Sequence, residues 1–363
     1  MKTAKTINYF HDKPVFGLDI GHGSLKVMQV EPPDSGSKNK PKVTGYGFTS
    51  FDKSAQSDGV IVEPETIAQA AHELFKNSIK GNITTRRVAI AIPAYRTFTR
   101  SLSVPKLQGK QLQEAVELEA EQYISMPLED LYLDYEVVKQ TSETTELFVV
   151  AVPREIVDSY IILAEILGLE TVLIEPTLSS SGRLFSIEDN SEAPAFIIDF
   201  GSQSSDISIY DGGHTLVTGT AQGGGASFTA AIAENLKVSQ DEAALIKTRY
   251  GLGPSKRQLE IIAALNPVLG QITKEIRRML RYYEERYGTD RPISQIVTIG
   301  GGANMPGLSD YLTDNLRMAV RHADPWFYLD YKHLDMPEEA DRPMFATVTG
   351  LSLTNPKEAF KHD

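Results

Sequence analysis

Residues 16–30, FGLDIGHGSLKVMQV, consist of two short apolar runs joined by a Gly-His-Gly turn. Asp19 interrupts the first run where the backbone is about to turn, and Lys26 lies inside the second run. The glycines on both sides of His22 let the backbone adopt positive φ and approach another group closely. Taken alone, the stretch is also consistent with the edge hairpin of a sheet that tolerates one acidic residue.

The same pattern occurs again in residues 193–225, APAFIIDFGSQSSDISIYDGGHTLVTGTAQGGG. An apolar run ends in Asp199-Phe200-Gly201, and a turn of small residues and two further strands follow. The first copy also continues into a third strand, VTGYGFTSF. Because both Asp-x-Gly turns occupy the same place in a three-strand unit, the sequence indicates an internal repeat and two related domains.

Composition bounds the class of protein. The 363 residues are 41% hydrophobic and 23% charged, which is typical of a folded protein of more than one domain. The net charge of −12 argues against a nucleic-acid partner and against broad adhesion to an anionic membrane. The chain has no cysteine, no signal-like apolar segment near residue 1 and no apolar run of membrane-spanning length. We therefore expect a cytoplasmic protein without cysteine chemistry.

The order of predicted elements suggests an inserted unit. Residues 86–152 read as strands, one amphipathic helix and two more strands, which predicts a small α+β subdomain. The first domain would then comprise residues 14–85 and 153–190. The second domain would comprise residues 191–363, with a helical subdomain at about 226–290 that includes a long helix starting at PVLGQITKE.

Glycine-containing turns occur at four places that the repeat would bring together: after Ile20, after Phe200, at 223–225 and at 300–302. Two such turns facing each other from repeated domains would form a phosphate clamp. Asp19 and Asp199 beside them would hold Mg²⁺ through waters, and Lys26 would supply a positive charge to a phosphate.

Five motifs resemble those of the actin-like ATPase superfamily, which includes actin, Hsp70, sugar kinases and FtsA. DIGHGSLK and DFGSQSSD are similar to its two phosphate motifs, and IGGGANMPGL is similar to its adenosine motif. EPTLSSSG and FATVTGLSL are similar to its two connecting helices. The resemblance implies an α/β, actin-like (ribonuclease H-like) fold of two duplicated domains that binds ATP and Mg²⁺.

A narrower resemblance is to the PilM family within the FtsA-like branch. It rests on the early insertion and on AIPAYRTFTRSLSVPKL, EAVELEAEQYISMPLEDLYLDYEVV and EIRRMLRYYEERYG. It implies a cytoplasmic ATP-binding adaptor of type IV pilus assembly, peripheral to the inner membrane through its partners. The implied partners are the N-terminal peptide of PilN, bound in a groove bordered by the insertion, and through it PilO and PilP. Pilus motor ATPases, a platform protein and self-association are further partner expectations.

The resemblance also carries the nucleotide contacts onto this chain. These are Asp19, Gly21, Gly23, Ser24, Lys26, Asp199, Gly201, Ser202, Gln203, Ser204, Gly224, Gly225, Lys247, Gly300, Gly301, Gly302 and Asn304. Glu175 matches an acid that orients the attacking water in some relatives, although it also suits the start of a helix.

Three departures from the FtsA pattern modify this expectation. Ser202 and Gln203 stand where FtsA-type sequences have two glycines. Lys247 matches the lysine of the FtsA helix that holds ribose and adenine, but Ala244 stands where that helix has its acid. We therefore predict nucleotide binding with slow or no turnover. An FtsA-like filament former and a small-molecule kinase of the same fold are the alternatives. His22 is interpreted as a turn residue and Trp326 as a packing residue.

Overall fold

The computed structural model describes residues 13–33, 40–185 and 193–355. The strands in these ranges are β1 (Phe16–Gly21), β2 (Ser24–Glu31), β3 (Lys42–Ser50), β4 (Gln56–Ser57), β5 (Val60–Ile61), β6 (Lys80–Gly81), β7 (Arg87–Ile92), β8 (Phe98–Pro105), β9 (Leu131–Gln140), β10 (Thr144–Pro153), β11 (Glu170–Pro176), β12 (Ala195–Phe200), β13 (Ser204–Asp211), β14 (His214–Gln222), β15 (Gln295–Ile299) and β16 (Ala319–His322). The α-helices are α1 (Pro64–Glu73), α2 (Lys110–Tyr123), α3 (Arg154–Ile166), α4 (Thr177–Phe185), α5 (Gly225–Leu236), α6 (Gln240–Arg249), α7 (Gln258–Tyr287), α8 (Leu308–Leu316) and α9 (Ala346–Ser352).

Two mixed sheets form the two halves of the molecule. The first has the order β11-β7-β1-β2-β3-β6, and the second has the order β14-β13-β12-β15-β16. In both sheets a central strand pairs antiparallel with the strand that follows it and parallel with a strand that comes later. Five strands of each sheet thus correspond in order and direction, which confirms the internal repeat.

The central strands are almost entirely apolar because helices cover both faces of each sheet. Side chains of α1 and α3 pack on one face of the first sheet, and α5, α7 and α8 pack on one face of the second. Helices α4 and α9 cover the inner faces and cross each other, so they connect the two halves. At the crossing, a Cβ on Gly350 would overlap the carbonyl of Ser180, which shows how closely the two backbones approach.

The inserted subdomain is a three-stranded antiparallel sheet, β8-β10-β9, with α2 packed on one face. Residues at helical spacing on α2, Leu112, Val116 and Ala120, are buried against it, as the sequence predicts. The predicted start at residue 86 is wrong for one strand, because β7 pairs with β1 and β11 in the first sheet. Since β7 is an apolar run directly before Pro93, the sequence alone did not separate it from the insertion.

One further expectation differs in detail, and one is not tested. Helix α7 begins at Gln258, nine residues before the predicted start at Pro267, which lies inside the helix. The boundary predicted between residues 190 and 191 lies outside the described residues.

Trp326 is buried among Tyr46, Phe345 and other apolar side chains, which confirms its packing role. Across the described ranges, no helix has both the length and the apolar character needed to cross a membrane.

Candidate functional site: a cleft between the repeated domains

A cleft of about 820 Å³ lies between the two sheets. Its size is that of a small-molecule or cofactor site. The β1–β2 turn lines one side and the β12–β13 turn lines the other, and the glycines at 300–302 and helix α6 complete the wall. Of the predicted nucleotide contacts, all except Gly23 and Gly224 line this cleft. The repeat therefore brings together segments that are almost 300 residues apart.

The two copies of the turn place a pair of charged residues at equivalent positions. Asp19 on β1 lies directly opposite Lys26 on β2, and Asp199 on β12 lies directly opposite Asp206 on β13. Asp206 was not among the predicted site residues, although it ends the DFGSQSSD motif. The signal that identifies it is the seven-residue spacing from Asp199, which equals the spacing from Asp19 to Lys26.

The first pair forms a buried ion pair. The Lys26 ammonium donates to Asp19 Oδ2 at 2.9 Å, and both side chains are 9% exposed. Such a pair offsets the cost of removing each charge from water, and leaving one member alone is strongly destabilising. Lys26 is therefore held at the base of the turn with its charge facing the cleft.

The second pair consists of two carboxyl groups, Asp199 and Asp206. Burial, then the negative charges of Asp206 and Asp19, raise the pKa of Asp199 from 3.8 to about 7, and Lys26 opposes this rise. Burial raises the pKa of Asp206 to about 6, although hydrogen bonds from Thr220 and Ser204 counteract it. No described residue donates a hydrogen bond to the Asp199 carboxylate.

Asp199 thus lies near Asp206 and near the Asp19–Lys26 pair, and Lys53 and Lys247 also line the cleft. A divalent cation nearby would favour the ionised forms of Asp199 and Asp206. Among the described residues, no three His, Asp or Glu side chains are grouped so that they could chelate a metal by themselves. The residues present could hold Mg²⁺ that keeps most of its waters, and Asp19 and Asp199 would then accept hydrogen bonds from those waters.

Several backbone groups of the glycine turns are already used within the protein. The N–H of Gly225 donates to the carbonyl of Gly201 at 2.9 Å, and the N–H of Gly302 donates to the carbonyl of Phe200 at 2.9 Å. These bonds fasten the loop after β14 and the loop after β15 to the β12–β13 turn, so the three loops form one rigid wall.

The two predicted contacts that do not line the cleft have packing roles. A Cβ on Gly23, where φ is +91°, would lie 2.6 Å from Cγ of Lys53. A Cβ on Gly224 would lie 2.5 Å from the carbonyl oxygen of Gly201. Both glycines are required because another chain segment approaches closely. Lys53 itself lines the cleft and is not among the predicted contacts, since it lies in a short 3-10 helix, Lys53–Ala55, that carries no motif.

Lys247 and Asn304 line the part of the cleft that is formed by helix α6 and the glycines at 300–302. The Lys247 ammonium donates to the carbonyl of Gly225 at 2.8 Å and to Thr229 Oγ1 at 2.9 Å. Burial, and then the charge of Lys53, lower the pKa of Lys247. The Asn304 amide donates to the carbonyl of Ala340. Both side chains shape the wall while still bordering the cavity.

Glu175 is placed differently from its predicted role. It is the penultimate residue of β11, and its two carboxylate oxygens accept hydrogen bonds from Arg183 at 2.7 Å each. Arg183 also donates to the carbonyl of Gly350 on α9 at 2.8 Å. Glu175 is not among the described residues that line the cleft. A carboxylate engaged in this way connects β11 to α4 and, through Arg183, to α9.

Comparison with known proteins agrees with this architecture. A family model described as type IV pilus assembly protein PilM matches residues 17–355. A solved structure described as the PilM–PilN type IV pilus biogenesis complex is 26% identical, with a TM-score of 0.80, and the match covers 95% of this chain and 99% of that chain.

More distant structures share the fold. The ethanolamine utilization protein EutJ from Carboxydothermus hydrogenoformans is 15% identical, with a TM-score of 0.53 over 94% of this chain and 90% of that chain. MreB 5 of Spiroplasma citri, solved bound to AMPPNP, is 14% identical, with a TM-score of 0.52 over 93% of this chain and 95% of that chain. The predicted actin-like fold is confirmed. Because the family model spans nearly its whole length, the chain belongs to the PilM family of type IV pilus assembly proteins.

Proposed function

We propose that this chain is an adaptor of type IV pilus assembly that binds ATP with Mg²⁺ in the interdomain cleft and the N-terminal peptide of PilN at the inserted subdomain. The observation that carries the nucleotide part is that Asp19, Asp199, Asp206 and the Lys26 ammonium group lie together in the cleft, between two glycine turns. The similarity to the PilM–PilN complex supports the peptide part.

Each residue would have a defined task in this site. Lys26 would give a fixed positive charge to the phosphates, and the hydroxyls of Ser24 and Ser204 would donate hydrogen bonds from the two turns. Asp19 and Asp199 would hold the waters of Mg²⁺, which supplies the charge that neutralises phosphates and carboxylates together. Gly301 would allow close approach of the nucleoside, since nothing lies within 4 Å of a Cβ built there.

The proposal includes slow or no hydrolysis. Phosphoryl transfer depends on positioning of the nucleophile, and Glu175 is engaged by Arg183 away from the cleft lining. Nucleotide would then act as a ligand that sets the relative position of the two domains. Through PilN the adaptor would lie at the inner face of the cytoplasmic membrane and contact PilO and PilP indirectly.

The test is direct binding of a labelled PilN N-terminal peptide to the full chain, measured by fluorescence anisotropy, with a scrambled peptide as the control. Saturable binding of the native peptide alone is expected. Equal binding of both peptides would refute the adaptor function. Sedimentation with ATP and Mg²⁺ separates the FtsA-like alternative, because a filament former pellets at concentrations where an adaptor stays in the supernatant.

A further inference from the structure

The Gln203 side chain bridges the two phosphate turns. Gln203 lies in the β12–β13 turn, and its amide nitrogen is 3.4 Å from the ring nitrogens of His22 in the β1–β2 turn. Its amide oxygen accepts a hydrogen bond from the Tyr95 hydroxyl at 3.1 Å. All three side chains line the cleft. A polyphosphate held between the two turns therefore contacts this polar group or displaces it.

Tyr95 stands where three parts of the molecule meet. It lies in a 3-10 helix of one turn, Ala94–Arg96, between β7 of the first sheet and β8 of the inserted subdomain. The turn packs against β13 and β14 of the second domain. Ala94 is buried, and Arg96 forms an ion pair with Asp58 at 3.1 Å, so both neighbours of Tyr95 are held in place. A displacement of Gln203 would act on the chain segment that enters the inserted subdomain.

The inserted subdomain also rests on the second domain. The Thr99 and Thr218 hydroxyls are hydrogen-bonded to each other, and the Ser101 hydroxyl donates to the carbonyl of Leu216. Further along, Glu136 accepts a hydrogen bond from His214 at 2.8 Å. These contacts join β8 and β9 to β14. A change in the distance between the two domains must therefore be taken up by these contacts or by the turn that contains Tyr95.

From this geometry we propose that Tyr95, bonded to Gln203, is a positioning residue that couples occupancy of the phosphate clamp to the inserted subdomain. The inference rests on the proposed function and identifies the regulation of its nucleotide site. When a terminal phosphate lies between the turns, the Gln203 amide donates to it, and the Tyr95 hydroxyl follows the Gln203 oxygen. The position of the inserted subdomain, and hence its affinity for the PilN peptide, then depends on nucleotide. By linkage, the peptide changes nucleotide affinity by the same factor.

The experiment compares peptide affinity with and without saturating ATP and Mg²⁺ in wild type and in Tyr95→Phe, which removes only the hydroxyl. ATP with Mg²⁺ is expected to change the peptide affinity of wild type by at least about fivefold. In Tyr95→Phe the same ligands are expected to change it by less than about twofold, because one hydrogen bond is lost. Gln203→Gly should lose the coupling in the same way. Tyr132→Phe is the matched control, since its hydroxyl bonds to Asp158 instead.

The outcomes separate coupling from binding. If ATP and Mg²⁺ change the peptide affinity of Tyr95→Phe by the same factor as that of wild type, the coupling role of Tyr95 is overturned. It is also overturned if wild type binds nucleotide and peptide without any effect of one on the other. Neither result affects the proposed function. A Tyr95→Phe variant that loses peptide affinity without nucleotide as well would reduce Tyr95 to a structural residue. A wild type that binds neither ligand would overturn the proposed function together with this inference.

Discussion

Asp199→Asn should make the protein more stable at alkaline pH while weakening its use of Mg²⁺. The pKa of Asp199 is raised from 3.8 to about 7 because the carboxyl group is buried beside two other acids. Between these values the folded state binds more protons at this site than the unfolded state does. The free energy of unfolding therefore falls as the pH rises through this window.

The magnitude follows from the same two values. Each pKa unit corresponds to about 1.4 kcal/mol, so ionisation of Asp199 costs on the order of 4 kcal/mol of folding free energy by pH 8. Asparagine has nearly the same shape and stays neutral, so the variant avoids this cost. Burial of its amide costs about 1–3 kcal/mol at every pH, which affects the level of the stability profile but not its slope.

Urea denaturation between pH 5 and pH 8.5 measures the difference. The single tryptophan, Trp326, is buried against Tyr46 of the first sheet and against Phe345, so its fluorescence and the far-ultraviolet circular dichroism report on unfolding together. The wild-type curve should lose more stability with rising pH than the Asp199→Asn curve, and the exposed variant Asp290→Asn should follow wild type. Parallel profiles for wild type and Asp199→Asn would refute the reasoning.

Three other perturbations test parts of the same account. Lys26→Met should lower the free energy of unfolding by about 3–5 kcal/mol, because Asp19 would keep a buried charge without its partner; a loss below about 1 kcal/mol in denaturation would contradict a buried pair. Gly350→Ala should destabilise the protein by more than about 1 kcal/mol, because the added methyl group would force the crossing helices α4 and α9 apart. Gly270→Ala, in open space on α7, should be neutral or stabilising. Similar melting curves for the two variants would exclude the close approach of the helices at Gly350. The hydrogen bond to Glu136 and the charge of that carboxylate raise the pKa of His214, while burial opposes the rise. His214→Gln should therefore lower the melting temperature at pH 6 and not at pH 9. An NMR titration that gives a pKa at or below 6.5 for the His214 imidazole would contradict this.

Much of the fold could be read from the sequence because the signals are local and repeated. A buried strand that ends in Asp-x-Gly occurs at Asp19 and at Asp199, and the repeat alone identifies two related domains with a cleft between them. The glycine turns identify the wall of that cleft. Family motifs then add the connecting helices and the nucleoside side.

The remainder depends on pairings that a single sequence does not display. Glu175 matched a water-orienting acid, but its partner Arg183 comes from the next helix and engages both oxygens. Asp206 has the same spacing from Asp199 as Lys26 has from Asp19, but its place in the site becomes clear only from the pairing of β12 with β13. Lys53 lines the cleft from a short 3-10 helix, and Tyr95 donates to Gln203, which lies more than 100 residues later in the chain. Such contacts are set by how separate segments pack together.

Calorimetric titration of ATP at pH 8, with and without Mg²⁺, tests the central claim most directly. Above the pKa of Asp199 its carboxylate is ionised, so Mg²⁺ should strengthen ATP binding to wild type. Asp199→Asn should weaken the Mg²⁺-dependent part by about 10–100-fold, as is typical for groups that orient metal-bound waters, while Asp290→Asn should match wild type. No heat of ATP binding, or an equal effect of Mg²⁺ on wild type and Asp199→Asn, would contradict a nucleotide–metal site built on these carboxylates.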